Sequence, residues 1–484
     1  MKTILVTDKP EDWAFASKFA SIIPAMEYLT ETYDNEKSPM RIINLCNSYQ
    51  YQSFGYYVSL IATARGHKVL PSVMAIQDVK NLSILDSLSE SITEEIQKEL
   101  ANIKSEEFIL SVYFGKNIAK RHNNLARKLH SLFPLPIFRV HFIHKKKWRI
   151  QKVCALEIAE IPENHLDFLK ESAKEYFEKK RFYLQRKKTY FYDMAILINP
   201  EETNKPSNEI AIEKFIEAAE ELDINAQLIE KEEIRFIAEY DALFIRETTS
   251  VNHHSYRISR RAASEGLIVM DSPNAIVKCS NKVYLAELLR KHSVKTPLTH
   301  ILNKQNYKEL AKVIDFPCVL KLPDSAFSKG VVKINNLLEL EENLKEFFKQ
   351  SDLIVVQTFM PSEYDWRIGV LDNEALFACR YFMAKGHWQI YDWQSEEPEG
   401  EFETIPLSDV PPFVLQTAVK AARLIGDELY GVDLKQIGDE AYVIEINDNP
   451  NLDHGVEDVV LKDELYLKVM QSFLKRLKKS YGQN

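Results

Sequence analysis

Residues 430 to 455 read YGVDLKQIGDEAYVIEINDNPNLDHG, and the folding of this stretch decides how the rest of the chain is read. Two runs of alternating apolar residues flank Gly438-Asp439-Glu440, the pattern of a hairpin closed by a short glycine-containing turn. With the turn centred on Asp439, Asp433 stands opposite Glu445, and Asn447 lies two residues along on the same face. Val432, Leu434, Tyr442, Ile444 and Ile446 are then expected on the other, buried face. Two carboxylates about 5 Å apart repel unless positive charge lies between them. A set of Asp, Glu and Asn oxygens suits magnesium, which keeps part of its shell for water and phosphate. The plainer alternative is a hairpin whose polar face points at solvent. Against it, a one-residue slip would drive Glu445 into the core.

Upstream, residues 317 to 335 read PCVLKLPDSAFSKGVVKIN and place Lys321 inside an apolar strand. Such a lysine must reach an anion or snorkel to water, since bare burial of its charge is costly. Ser325, Ser328, Lys329 and Gly330 offer donors from a loop that could close over phosphates; an edge-strand lysine beside a surface turn is the commoner arrangement. Ser280-Asn281-Lys282 opens a helix expected over 281–291, with Ser280 at the N-cap and Lys282 in the first turn, where backbone N–H groups favour an anion. The strand Leu353–Met360 leaves through Gln357-Thr358-Phe359, a polar-then-aromatic exit that suits an adenine edge and face. Neither G-x-x-x-x-G-K-[ST] nor G-x-G-x-x-G occurs, so P-loop and dinucleotide-fold chemistry are unsupported.

The 484 residues allow about three domains. A hydrophobic share of 45% with 27% charged residues is a globular composition, and the net charge of -9 argues against bulk capture of nucleic acid. Glycine is scarce, at 13, and most of it lies at or beyond Gly330. Five scattered cysteines without a C-x-x-C pair read as reduced thiols of a cytoplasmic protein. No signal peptide or membrane span is expected. The pairs His141/His144 and His253/His254 lack cysteine partners, so zinc is the weaker reading for each. Strands at Thr3–Thr7, Arg41–Cys46, Phe108–Tyr113 and Phe138–His144 alternate with helices near 52–65, 90–103 and 120–132. A charged helix over 162–188 reads as a connector. The β-α-β alternation from Asp193 to Asp271 predicts a small parallel sheet, and beyond Pro297 the pattern turns to α+β. No internal repeat is visible. The basic turn His144-KKKWRIQK-152 is either a solvated hairpin turn or a contact for nucleic acid or an acidic tail.

From about 193 to 478, the order and spacing of these blocks resemble the ATP-grasp ligases, and within them the RimK-type carboxylate-amine ligases; the first 185 or so residues resemble their N-terminal RLAN extension. The resemblance implies an α/β and α+β chain with four parts: 1–185, an RLAN-like α/β domain with its connector; 190–278, a pre-ATP-grasp α/β domain; 279–360 and 361–484, two α+β subdomains clasping ATP. By position, it implies ATP contacts at Lys282, Lys321, Ser328, Gly330, Gln357, Thr358, Phe359 and Asp365. It implies magnesium, or manganese, at Asp433, Glu445 and Asn447. Arg367 and Arg380, which the pattern puts across a hairpin turning at Asp372-Asn373, would serve as catalytic and substrate arginines, and Arg246 would also receive substrate carboxylate. Two departures stand out: the flap SAFSKG holds one glycine, and 387–400 (HWQIYDWQSEEPEG) lacks the usual substrate pattern. The implied reaction forms an amide through an acyl phosphate, releasing ADP and phosphate, with glutamate or a similar amino acid added to a small molecule, peptide or protein tail. No nucleic acid or membrane partner is expected, and a homo-oligomer is. Two alternatives stand beside it: an Asp433/Glu445 acid-base dyad, and an ATP-binding scaffold without turnover.

Overall fold

The structure, a computed structural model, describes residues 2–30, 40–80, 92–182, 190–324, 330–385, 387–390 and 400–482. Short runs of β-branched and aliphatic residues open the chain as parallel strands, the central β1 and β3 the most buried of them. β1 (Lys2–Thr7), β2 (Ser21–Pro24), β3 (Met40–Asn44) and β4 (Lys68–Leu70) form a sheet in the order β2-β1-β3-β4. β5 (Glu107–Tyr113), β6 (Ile137–His144) and β7 (Trp148–Ala155) follow as an antiparallel sheet. A second parallel sheet comprises β8 (Tyr192–Leu197), β9 (Ile224–Ile229), β10 (Ala242–Ile245) and β11 (Ile268–Met270), in the order β9-β8-β10-β11.

The two parallel units are one arrangement used twice, which corrects the expectation of no repeat. A shift of 200 positions, from Gly66 to Gly266, aligns their second halves. Each has a helix, Phe54–Ala64 or His254–Ser264, closed by a glycine at φ +67° or +82°. In each, a helix serine reaches the chain beyond the next strand: Ser59 Oγ donates to the Pro71 carbonyl at 2.7 Å, and Ser259 Oγ to that of Asp271 at 2.7 Å. In each, a serine, Ser72 or Ser272, caps the following helix through Ala75 N or Ala275 N. At this offset Tyr56, Ser59, Ala62, Gly66, Val69, Ser72, Ala75 and Ile76 all recur, but scattered, so that no contiguous motif marks the repeat. The units meet at the amino ends of their strands, where Lys68 lies 3.6 Å from Asp241 and Arg41 3.5 Å from Asp193. Their carboxyl ends therefore lie away from the junction.

The helix expected as a mere connector, Glu163–Phe182, is part of the N-terminal core. Leu169, Ala173, Tyr176 and Phe177, spaced three and four apart, pack with Leu5, Trp13 and Phe114. Its polar residues hid a narrow apolar stripe.

The remaining strands build the clasp. β12 (Thr299–Leu302), β13 (Cys318–Lys321), β14 (Val331–Ile334) and β15 (Ile354–Thr358) form an antiparallel sheet in the order β12-β15-β13-β14. β16 (Tyr364–Leu371), β17 (Glu374–Phe382), β18 (Phe402–Ile405), β19 (Tyr430–Ile437) and β20 (Glu440–Asn447) form the fifth, in the order β18-β17-β16-β19-β20. One face of the fifth sheet packs on the helix Pro412–Ile425, and part of the other joins the second parallel sheet and the helix Asp463–Ser480. Among the described residues, no helix is long and apolar enough to cross a membrane.

Phe177→Ala is expected to cost the N-terminal unit about 3 kcal/mol or more, as loss of a buried aromatic ring does. Denaturant unfolding checks this; a change within 0.5 kcal/mol, roughly that of a surface site, would restore the connector reading.

Candidate active site

The decisive hairpin forms, but by a different route from the one its alternation suggested. The turn is two residues, Gly438-Asp439, with Gly438 at φ +57°, so Ile437 pairs with Glu440. Continued without interruption, that register would set Glu445 opposite Val432. A bulge between Asp433 and Leu434 takes up Ile444, and beyond it Asp433 opposes Glu445 and Gly431 opposes Asn447. Near the turn the phase is reversed: Ala441 and Val443 are buried, and Tyr442 and Ile444 are not, contrary to expectation.

The face carrying Asp433 and Glu445 extends across β16, where Arg367 lies opposite Asp433. Arg367 grips Asp433 with Nε on Oδ1 and Nη2 on Oδ2, the latter at 3.0 Å. Two residues along each strand, Lys435 pairs with Asp365, which also accepts from Ser362 at 3.0 Å. Lys282 Nζ reaches Glu445 at 2.9 Å. Its helix, Lys282–Lys291, is capped by Asn281, which accepts from Val283 N and Tyr284 N at 3.0 Å. Ser280, expected as the cap, ends the preceding helix and donates to the Ile276 carbonyl at 2.7 Å. Lys282 N also donates to the Pro323 carbonyl at 2.8 Å, tying this helix to the loop after β13.

From the opposing sheet comes Lys321, at 8% exposure. Cys318, Leu320 and Val356 fill that sheet's own core, while the alternate positions Val319, Lys321, Val355 and Gln357 lie on its other face. Burial pushes the Lys321 ammonium down to about 8, against the attraction of Glu445 and Asp365. Burial likewise pushes the Asp433 carboxyl up, and Arg367 offsets this only in part. Burial would raise Glu445 too, but Lys282, with Lys321 and Arg367, holds it below the usual carboxylate range. Four cations (Lys282, Lys321, Arg367, Lys435) thus share the space with three carboxylates (Asp365, Asp433, Glu445), leaving a net positive site matched to a polyanion.

The other expected residues divide. Gln357 Nε2 donates to Thr299 Oγ1 at 3.1 Å, Thr358 N to the Leu298 carbonyl at 3.0 Å, and Phe359 N to the Pro317 carbonyl at 3.2 Å. The Phe359 ring carries Lys333 Nζ 3.9 Å above it and meets Trp388 edge-on at 5.8 Å. Gly330, at φ +68°, closes the flap by accepting from Leu322 N at 2.9 Å, and a Cβ there would meet Leu322 Cδ1 at 2.7 Å. Ser328 lies outside the described residues, as do 391–399 of the altered segment.

Two arginines are not where the sequence put them. Arg380 pairs with Trp366, and Arg367 with Cys379, so the two arginines occupy opposite faces of the sheet. Arg380 stacks on Trp366 and Tyr364, with Nη1 3.2 Å from Glu403. Arg246 is 2% exposed and spent on protein: Nε donates to Ser207 at 3.0 Å, Nη1 to Asn449 Oδ1 at 2.6 Å and Nη2 to the Pro450 carbonyl at 2.9 Å. It fastens β10 to the loop after β20 rather than facing a substrate. Three residues went unnoticed. Lys435 was findable, being two along from Asp433 in an alternating strand. Tyr381, over which Arg367 lies at 5.5 Å, and its partner Glu457, pushed up to about 7 by burial, carry no sequence signal.

Asp433, Glu445 and Asn447 fit a divalent cation. Asn447 turns its Nδ2 to Asp433 Oδ2 at 3.2 Å and the Gly431 carbonyl at 3.4 Å, leaving Oδ1 available as a third oxygen. A cation there would relieve the raised Asp433.

Two sheets closing a cationic, carboxylate-lined cleft define a nucleotide-clasping ligase class. Residues 279–465 match the RimK-like ATP-grasp domain, and residues 25–172 match the RimK-like ATP-grasp N-terminal domain. The chain belongs to the RimK-like ATP-grasp proteins and is an ADP-forming ligase that makes amide bonds with ATP. It is 26% identical over 231 residues to a probable alpha-L-glutamate ligase of Marinobacter nauticus, covering 47% of this chain and 74% of that one. It is 27% identical over 197 residues to the alpha-aminoadipate–LysW ligase LysX of Sulfolobus acidocaldarius, covering 39% and 68%. A solved D-alanine–D-alanine ligase of Bacillus anthracis aligns at TM-score 0.48 and 15% identity, over 60% of this chain and 99% of that one.

A lowered lysine loses its proton above about pH 8 in the free protein, and a bound phosphate would restore it. ATP binding at about pH 9 is therefore expected to take up protons, and at about pH 6 to take up none through Lys321. Calorimetry in buffers of different ionisation enthalpy reads the uptake, which Lys321→Arg should remove.

Proposed function

We propose that this ligase activates a substrate carboxylate as its acyl phosphate and joins it to the amine of an α-amino acid. Glutamate or a close analogue is the favoured substrate, and the acceptor is a small molecule, peptide or protein tail. The observation that carries the proposal is the shared face on which Arg367, Asp433, Glu445 and Lys282 meet Lys321 from the opposing sheet. The names of the relatives, a probable alpha-L-glutamate ligase and an alpha-aminoadipate ligase, support an acidic amino acid as substrate.

In this reading Lys282 and Lys321 hold the ATP phosphates in line, and Gln357, Thr358 and Phe359 bound the adenine, with Asp365 towards the ribose. Ser328 and Gly330 belong to the covering flap. Asp433, Glu445 and Asn447 hold magnesium, or manganese in its place, which neutralises phosphate charge when bound. The γ-phosphoryl group leaves ADP and bonds to a carboxylate oxygen; the amine then attacks the acyl carbon, loses a proton and expels phosphate. Arg367, paired with the metal ligand Asp433, is the guanidinium placed to meet the developing anion. No protein nucleophile is required.

Glu445→Ala is expected to lower ADP formation by at least about 100-fold while the circular dichroism stays unchanged. Full turnover in this variant would remove the metal assignment. ADP release should depend on adding both an acid and an amine, with mass spectrometry showing a product heavier by one amino-acid residue. ADP release that ignores both would end the ligation reading.

A further inference from the structure

At the carboxyl end of β10, Glu247, His253 and His254 bring ligand atoms within 4.8 Å of one another. Glu247 is 1% exposed, and neither of its oxygens has a hydrogen-bond donor in line, although His254 Nε2 stands 2.6 Å from Oε1. A buried, unsatisfied carboxylate is costly unless something held there repays it. We propose that Glu247, His253 and His254 bind a divalent transition-metal ion of the zinc type.

The chain supplies its own comparison for this slot. In the first parallel unit the corresponding positions are Asn47, Ser53 and Phe54, and Ser53 is an ordinary N-cap accepting from Tyr56 N at 3.4 Å. The same fold therefore needs neither a buried acid nor a histidine pair there. In the second unit His253 takes the capping place, although Ser and Asn are the favoured caps.

The surroundings prepare the histidines as ligands. Ser255 Oγ donates to the Thr248 carbonyl at 3.1 Å and lies 2.9 Å from His253 Nδ1, which also accepts from Ser255 N at 3.4 Å as the helix cap. Ser255 thereby holds the His253 ring in place, as outer partners hold a metal-bound imidazole. Burial pushes His254 down to about 4, keeping it neutral, and burial with the neighbouring Glu202 pushes Glu247 up to about 7. An inserted cation would reverse that second shift. Bonds of about 2.0 Å need the Glu247–His254 approach to open by under about 1 Å. Two imidazole nitrogens with one carboxylate select a transition metal over magnesium, and three protein ligands leave a coordination position open. Asn449 Nδ2 donates to the Glu247 carbonyl at 2.6 Å, and Arg246 holds Asn449 in turn, so the ion would sit where the second unit joins the loop leaving β20.

The test titrates chelator-stripped, full-length protein with Co2+ in excess magnesium and reads the visible ligand-field bands. One equivalent of Co2+, displaced by zinc, is expected. Glu247→Gln and His254→Ala should each weaken it at least about 100-fold, and Ser255→Ala about 10-fold, while Asp433→Asn leaves it unchanged. If His254→Ala does not fold, the isosteric Glu247→Gln carries the test. No saturable binding, equal binding in Glu247→Gln and wild type, or loss on Asp433→Asn instead would each overturn the proposal.

Discussion

Charges largely withdrawn from water govern this molecule. Arg367 with Asp433, and Lys282 with Glu445, are ion pairs held between two sheets, where each ion carries a desolvation cost of several kcal/mol. Attraction within each pair offsets that cost only if the partners arrive at fixed geometry, and the surrounding structure supplies it. The apolar cluster between the fifth sheet and the helix Pro412–Ile425 holds β16, β19 and β20 in place, and Asn281 fixes the helix that delivers Lys282. Lys321 is left with the weakest compensation, so it is the cation with most to gain from an incoming anion.

Arg246 shows the same economy used for construction. A guanidinium completely enclosed by Ser207, Asn449 and the carbonyls of Pro206 and Pro450 links the second parallel sheet to the loop that leaves the metal-ligand hairpin. Chemistry suited to catching a carboxylate is here consumed in joining two parts of the chain. Residue type alone could not separate those uses; burial does.

Much of the site was legible because alternation in a strand is a strong signal. Asp433 and Glu445 were placed opposite each other from periodicity, and Lys321 was singled out as a charge in an apolar run. The illegible parts depended on single-residue offsets. The turn was one residue shorter than assumed, the bulge at Ile444 returned the difference, and the two errors cancelled at Glu445 while exchanging the buried residues nearer the turn. At Arg380 nothing cancelled, and a shift of one position in pairing sent it to the far face. The duplication escaped for another reason: the residues the halves share, from Tyr56 and Tyr256 to Ile76 and Ile276, are spaced mostly three or four apart and form no contiguous motif.

That duplication changes what the chain can say about itself. Two copies of one βαβ frame, folded in the same molecule under the same conditions, separate what the frame demands from what chemistry has imposed on one of them. Ser59 and Ser259, keeping the same bond in both, belong to the frame. Differences such as Ser53 against His253 belong to the work of the second copy alone. The protein is in this sense its own control experiment.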